Sequence, residues 1–151
     1  MSFSYPTNAT TNNIPSVALA ILYQEGRFLM QLRDNIPTII YPDLWGFFGG
    51  HLEPGETPEI GVKREVLEEI NYQFENPIFF RRYDDERALR HIFHGELTVS
   101  IDDLILREGA DLGLVSPEEI KKGQCYSQKL GDVRPVGDIH QEILLDFIAN
   151  F

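Results

Sequence analysis

Hydrophobic residues in the first third of the chain form short runs separated by polar or proline-containing segments. Two apolar runs, at residues 17–23 and 28–32, are joined by Gln-Glu-Gly, which predicts a hairpin of two β-strands. Residues 34–43 hold two prolines and follow no clear period, which predicts a loop. A further apolar run at residues 44–48 predicts a short strand that leads into two glycines.

The spacing of apolar positions becomes helical between residues 59 and 70. Glu56 or Thr57 is placed to cap this helix, and Asn71 is a residue type that ends helices in the left-handed conformation. The opposite side of the helix is rich in glutamate, so we predict that one face packs on a sheet. The predicted apolar side carries Ile60, Val62, Val66, Leu67 and Ile70.

Strand patterns dominate the rest of the chain. Residues 116–119 (Ser-Pro-Glu-Glu) have the residue types of a capping box and predict a short helix. Residues 122–136 predict a polar loop, and residues 136–151 predict an amphipathic C-terminal helix. Strands interspersed with three helices predict an α/β or α+β sandwich with helices covering a mixed sheet. The predicted strands lie at residues 78–83, 89–99, 104–106 and 112–115.

The helix over residues 59–70 crowds three like charges on one side. Glu65, Glu68 and Glu69 have i, i+3 and i+4 spacing, so they fall within about a quarter of the helix circumference. Like charges at this spacing repel by a few tenths of a kcal/mol. A hard divalent cation, which prefers carboxylate oxygens, would relieve the repulsion. An ordinary solvated acidic face is the alternative that this spacing alone leaves open.

The net charge of −11, from 24 acids against 13 bases, argues against a nucleic-acid polymer as partner. A phosphate backbone is usually bound by a basic face. A small phosphorylated substrate remains compatible with the acidic chain, because bound metal ions invert the local field.

The length of 151 residues predicts about one domain. Residues 1–13 are uncharged and rich in Ser, Thr and Asn, so we expect a tail followed by a single domain over residues 14–151. The one cysteine, Cys125, excludes an internal disulfide and a cysteine-based zinc site. No apolar run approaches the roughly 20 residues of a membrane span, and no export signal is visible. We therefore expect a cytoplasmic protein without a membrane partner.

The residues around the glutamate helix follow a fixed pattern. It comprises Gly50, five residues, Glu56, seven residues, and then Arg-Glu-Val-Leu-Glu-Glu-Ile-Asn-Tyr over residues 64–72. This pattern closely resembles the signature of the Nudix hydrolases. Asn71 departs from the family glycine, a mild change because both tolerate positive φ, and Tyr72 stands where an aliphatic residue is usual.

The resemblance implies an α/β/α sandwich with a mixed sheet and a loop–helix–loop catalytic motif. It also implies metal-dependent cleavage of a phosphoanhydride in a nucleoside diphosphate linked to another group, with Mg²⁺ or Mn²⁺ as cofactor. Glu65, Glu68 and Glu69 would be metal ligands, and which glutamate serves as base stays open. Glu56 would complete the cluster or orient its ligands. The resemblance further implies that Arg64 pairs with Glu56 or Glu65 and holds the acids in place, and that Gly49 and Gly50 are close backbone contacts of metal or phosphate.

Four residues that the pattern does not specify are further candidates. Glu108 is placed like a further acidic ligand in the branch that removes oxidised nucleotides, or is a turn acid. Arg33 is placed like a phosphate-binding arginine of that branch, or makes a surface salt bridge. His51 adjoins the glycines and is a candidate phosphate contact, and Arg90 is a candidate to gather near the substrate.

The substrate is not specified by the sequence. Two subfamily marks seen in relatives downstream of the pattern are missing: a proline that indicates ADP-ribose hydrolysis, and a tyrosine that indicates dinucleoside polyphosphates. The absence of both marks favours a nucleoside triphosphate or a modified nucleotide as substrate. Alternatives to hydrolysis of a triphosphate are an NDP-sugar or ADP-ribose pyrophosphatase, or a non-catalytic nucleotide sensor.

The apolar C-terminal helix either closes the core or forms a homodimer face.

Overall fold

The computed structural model describes residues 14–39 and 42–151. The tail predicted for residues 1–13 lies outside this range. No helix in the described ranges is long and apolar enough to cross a bilayer. The elements are β1 Ser16–Gln24, β2 Arg27–Leu32, β3 Trp45–Gly46, β4 Phe48–His51, α1 Pro58–Ile70, β5 Ile78–Asp84, β6 Leu89–Glu96, β7 Asp111–Val115, α2 Pro117–Lys122, β8 Gln124–Ser127, β9 Asp132–Pro135 and α3 Asp138–Asn150.

Within the described residues, seven strands form one mixed sheet and two form a separate hairpin. The main path is β3-β2-β1-β6-β5, with β4 paired to β1 and β7 paired to β2. The β1–β6 pair is parallel and the other pairs are antiparallel. The hairpin consists of β8 and β9. This mixed sheet with its helices confirms the predicted α/β class.

Alternation along β1 supplies both faces of the sheet with core residues. Val17, Leu19 and Ile21 pack in the cluster that contains the buried residues of α3. Ala18 and Ala20 point the other way, into the cluster that contains the buried residues of α1. The two helices therefore cover opposite faces, which is the arrangement of an α/β/α sandwich.

Helix α1 begins and ends at the residues that the sequence indicates. The Thr57 side chain accepts a hydrogen bond from the Ile60 N–H, and Asn71 closes the helix at φ 55°, in the left-handed region. The predicted apolar side is only partly correct. Ile60 and Leu67 are 57% and 40% exposed, so the buried stripe is narrower, and Glu69 takes a place beside it.

Three predicted segments differ from the structure. Residues 104–106 are not a strand, because their backbone is used at the end of α1: the Ile105 N–H donates to the Ile70 carbonyl. Residues 122–136 are not a loop but contain the β8–β9 hairpin. The strand predicted at residues 44–48 is broken at Phe47 into β3 and β4, which pair with different neighbours.

The break at Phe47 is held by His140 of α3. The Phe47 N–H donates to His140 Nδ1 at 3.1 Å, and the two rings lie 4.9 Å apart. Desolvation, reinforced by the charges of Arg90 and Arg33, lowers the pKa of His140 to about 3. His140 is therefore neutral in the folded protein and fixes the chain just before β4.

We predict that His140 makes the protein less stable in acid. Its pKa falls from an ordinary 6.5 to about 3 on folding, so below pH 6.5 the unfolded chain takes up a proton that the folded chain does not. The free energy of unfolding should decrease by roughly 1 kcal/mol per pH unit in this window. Urea denaturation at several pH values measures it. His140→Asn keeps an acceptor for Phe47 and should flatten the slope, more than His91→Asn does. An unchanged slope in His140→Asn would refute this.

Candidate active site

The two glycines of β4 allow a close approach that no other residue permits. Gly49 has φ 139°, and a Cβ there would lie 2.1 Å from the Ala18 carbonyl oxygen. A Cβ on Gly50 would lie 2.8 Å from the carboxylate carbon of Glu65. Side chains at these positions would separate β4 from β1 or displace Glu65. The glycines thus bring the backbone of β4 against the acidic side of α1.

Glu69 is a buried carboxylate at the centre of the site. Its Oε1 accepts the Gly49 N–H at 2.8 Å. Desolvation raises the pKa of Glu69 to about 8, and the charges of Glu65 and Glu108 add to this rise, while hydrogen bonds from Gly49 and Gln31 oppose it. A buried carboxylate among others of the same charge is a ready ligand for a cation.

Arg64 connects the other acids of the predicted pattern. Its guanidinium binds Glu56 with two bonds, from Nε at 2.7 Å and from Nη2 at 2.9 Å. Nη1 donates to Glu65 at 3.0 Å and to Glu68 at 3.3 Å. Nη2 also donates to the His51 carbonyl at 3.1 Å, which ties the helix to the end of β4. The prediction that Arg64 pairs with Glu56 or Glu65 agrees with these contacts.

The carboxylates respond differently to this arginine. The hydrogen bonds from Arg64 lower the pKa of Glu56 to about 2, so Glu56 is a permanent anion. Desolvation raises the pKa of Glu65 despite its bond to Arg64, and the charges of Glu68 and Glu108 contribute. Glu56 therefore serves to hold Arg64, whereas Glu65 belongs electrostatically with Glu69 and Glu108.

A pocket of about 380 Å³ opens at this point of the fold. It brings together most of the residues singled out from the sequence, and others that were missed. Gln31 could have been found from the period of two along β2, because it precedes Arg33 by two residues and so shares its face. The predicted residues in the lining are Arg33, Gly49, Gly50, His51, Glu65, Glu69 and Glu108; the missed ones are Gln31, Asp34, Ile36, Ile39 and Gly109.

Four predicted residues do not line the pocket. Glu56 and Glu68 are instead paired with Arg64, and the Glu68 side chain is 60% exposed. Arg90 lies on the opposite face of the sheet. It is two positions before Ile92 on β6, so both side chains point to the side where Ile92 packs in the cluster that contains α3. There its guanidinium makes an ion pair with Asp85 at 2.9 Å. The structure thus does not bring Arg90 to the other candidates.

The donor chemistry of the pocket fits a hard divalent cation. Glu65, Glu69 and Glu108 line one cavity, where desolvation raises the pKa values of Glu65 and Glu69 and the charge of Glu108 adds to both rises. Across the residues described, no three acidic, histidine or cysteine side chains converge on a single point as they stand. Arg64 and Gly49 hold Glu65 and Glu69 instead, so ion binding would need rotation of flexible glutamate side chains.

Comparison with known proteins agrees with this geometry. The family profile described as NUDIX domain matches residues 13–131. Nucleoside triphosphatase NudI of Salmonella agona is 27% identical over 120 residues, covering 70% of this chain and 84% of that protein. A putative 8-oxo-dGTP diphosphatase of Bacillus subtilis is 28% identical over 109 residues, covering 64% of this chain and 68% of that protein.

A solved structure shares the fold at low identity. The Nudix domain of Shewanella oneidensis NrtR, determined in complex with ADP ribose, superposes with a TM-score of 0.70 at 14% identity, covering 97% of this chain and 93% of that chain. The profile match spans most of the chain and contains the glycines, Arg64 and the glutamates of α1. The chain therefore belongs to the Nudix family and is a pyrophosphohydrolase.

Proposed function

We propose that the protein is a divalent-metal-dependent hydrolase of a nucleoside triphosphate, either an ordinary or an oxidised one. The observation that carries the proposal is the joint lining of one pocket by Glu65, Glu69, Glu108 and the cationic Arg33. Transfer of a phosphoryl group requires cations that neutralise the charge of the phosphates. Arg33 and an ion held by the carboxylates would supply these cations. The triphosphatase and the putative 8-oxo-dGTP diphosphatase among the relatives support this substrate class.

Mg²⁺ or Mn²⁺ would be held by Glu65, Glu68, Glu69 and Glu108, with help from the backbone at Gly49 and Gly50. When bound, such an ion neutralises phosphoryl oxygens and makes water a stronger nucleophile. Glu68 is the outermost of these carboxylates and would join through rotation away from Arg64. The carboxylate-only donor set favours these hard ions over zinc.

The protein residues would act mainly by positioning. Arg64 fixes the acids of α1 against β4, and the Gly49 N–H orients Glu69. A carboxylate of the set would accept the proton of the attacking water as one P–O bond forms and the anhydride P–O bond breaks. Arg33 and His51, which line the same pocket, would contact the phosphates of the substrate.

A second candidate is hydrolysis or sensing of a nucleoside diphosphate joined to a sugar. It is favoured by the fold shared with the Nudix domain of NrtR, which was determined with ADP ribose. The complete set of glutamates on α1 favours catalysis over sensing, because a pure binder needs no metal cluster. Both candidates use the same pocket, so they are distinguished by the substrates that the protein turns over.

We predict that a panel of nucleotides with Mg²⁺ will separate these candidates. The panel holds ordinary and 8-oxo nucleoside triphosphates, ADP-ribose and UDP-glucose. The products are separated by anion-exchange chromatography, which distinguishes pyrophosphate from phosphate as the product of a triphosphate and also detects the nucleoside monophosphate and sugar phosphate formed from ADP-ribose or UDP-glucose. We expect the highest kcat/KM on a triphosphate. Faster turnover of ADP-ribose or UDP-glucose would replace the substrate assignment, and binding without turnover of any compound would indicate a sensor.

A further inference from the structure

Two walls of the pocket lie outside the glycine–glutamate pattern. One is the loop after β2, of which the structure describes residues 34–39 and 42–44, and it contributes Asp34, Ile36 and Ile39 to the lining. The other is the segment that contributes Glu108 and Gly109. Each wall ends at an aspartate, and both aspartates are held by the same distant element, the β8–β9 hairpin.

Asp43 ends the first wall. The loop is closed at its base by two backbone hydrogen bonds, from the Arg33 N–H to Leu44 at 3.0 Å and from the Asp43 N–H to Asp34 at 3.3 Å. Asp43 itself has φ 62°, a left-handed conformation that Asp and Asn tolerate. Its carboxylate accepts a hydrogen bond from Arg134 Nε of β9 at 2.8 Å, across 91 positions of sequence.

Asp111 ends the second wall. Its carboxylate accepts a hydrogen bond from the hydroxyl of Ser127 at 2.7 Å and from the Lys129 N–H at 3.3 Å. Ser127 is fully buried at the end of β8. The Ala110 N–H bonds to the Leu32 carbonyl at 2.8 Å, so the wall is also fastened to β2.

The hairpin is itself anchored to the sheet. The Trp45 indole N–H donates to the Cys125 carbonyl at 3.1 Å, and the Gly137 N–H donates to the Trp45 carbonyl at 3.0 Å. Trp45 is a large and almost completely buried side chain. The hairpin therefore offers a fixed point from which both walls can be braced.

We propose that the β8–β9 hairpin sets the position of both walls and that Arg134, through the first wall, is a positioning residue for substrate binding. The inference rests on the proposed function for the identity of the ligand. Arg134 acts through Asp43 and the loop that carries Asp34, Ile36 and Ile39. Arg134 does not bind the reacting side of the pocket: Glu65 and Glu69 are held by α1 and β4, and the wall that carries Glu108 is fastened through Asp111. Loss of the ion pair should therefore weaken substrate binding and leave the bond-breaking step unchanged.

The test is a double-mutant cycle on the ion pair, read as KM against kcat for the best nucleotide. Asp43→Asn keeps the left-handed conformation and removes the charge, and Arg134→Gln removes the guanidinium and its charge. Each should raise KM about five- to tenfold, the size expected for one partly exposed charge-assisted hydrogen bond, with kcat within about twofold. The double variant should be no worse than either single one, and Arg134→Lys should recover part of the loss.

Asp132→Asn is the matched control. Asp132 binds the same guanidinium at 2.8 Å, but its side chain is 68% exposed and its other hydrogen bond comes from its neighbour Val133. It should leave KM unchanged. Unchanged KM in Asp43→Asn and Arg134→Gln, or additive effects in the double variant, would overturn the proposal.

Hydrogen exchange provides a readout that does not need turnover. The amides of Arg33 and Asp43 should exchange faster in Arg134→Gln than in the wild type or in Asp132→Asn, because their hydrogen bonds close the braced loop. Equal exchange in all three proteins would also overturn the proposal. A wild-type protein that hydrolyses no nucleotide would contradict the proposed function alone, and the exchange measurement would still decide whether the hairpin braces the loop.

Discussion

Replacing Glu69 by Gln is expected to lower kcat by about 10²- to 10⁴-fold on the best nucleotide of the panel. Gln has the shape of Glu, so its carbonyl oxygen can still accept the Gly49 N–H that holds Glu69 in place at 2.8 Å. The amide cannot supply negative charge to a cation or accept the proton of water. Steady-state kinetics with saturating Mg²⁺ measure the effect, and Glu68→Gln is expected to lower kcat by orders of magnitude as well.

The control for this prediction is Glu59→Gln, which removes an exposed acid from the first turn of the same helix. It should keep wild-type turnover.

The free energy of unfolding of Glu69→Gln distinguishes a loss of chemistry from misfolding. The pKa of Glu69 rises from 4.5 to about 8 on folding, so its ionisation opposes folding as the pH rises through this window. Ion-free Glu69→Gln should therefore be at least as stable as the wild type near pH 8. Turnover undiminished in both glutamine variants would contradict the site assignment.

Replacing Arg64 by Ala is expected to lower kcat/KM about 10- to 100-fold, as is typical when the partner that orients a ligand is lost. The guanidinium binds Glu56 with two bonds and also holds Glu65, Glu68 and the His51 carbonyl. Without it these carboxylates repel one another and α1 loses its bond to the His51 carbonyl at the end of β4. Kinetics at increasing Mg²⁺ concentrations should show a weaker response to the ion.

Arg64→Lys should recover little of this loss, because one ammonium cannot make the parallel bonds of a guanidinium fork. Arg82→Gln is the matched control. Arg82 also makes a fork to a carboxylate, that of Asp84, but on the exposed edge strand β5. It should behave as the wild type. Full activity in Arg64→Lys would show that charge alone suffices and that the fork has no role.

The features that sequence could predict are those set by local spacing. Helical period placed Glu65, Glu68 and Glu69 on one side of α1. Residue type narrowed the cap to Glu56 or Thr57, of which Thr57 is the cap, and placed the end at Asn71. These choices depend on neighbours within a few positions, so the sequence alone contains the required information. The pairing of Arg64 with the acids is local in the same sense, because its main partners lie within eight positions.

The features that sequence could not predict depend on contacts between distant segments. Burial of Glu69 follows from the approach of β4 to α1, across 20 positions. The placement of Arg90 on the opposite face follows from the register of β6 on β1. The β8–β9 hairpin has too few residues per strand to produce a clear alternation, and its anchors are Trp45, Asp43 and Asp111. Its polar composition therefore resembled a loop.

The central claim is that the glutamates of α1 and Glu108 act through a divalent ion. The most direct measurement is the turnover of the best nucleotide against free Mg²⁺, in chelator-treated wild type and in Glu69→Gln. We predict no measurable turnover without the ion, saturable recovery as Mg²⁺ is added to the wild type, and little response in Glu69→Gln. Chelator-treated wild type that hydrolyses the nucleotide at its full rate would contradict the claim.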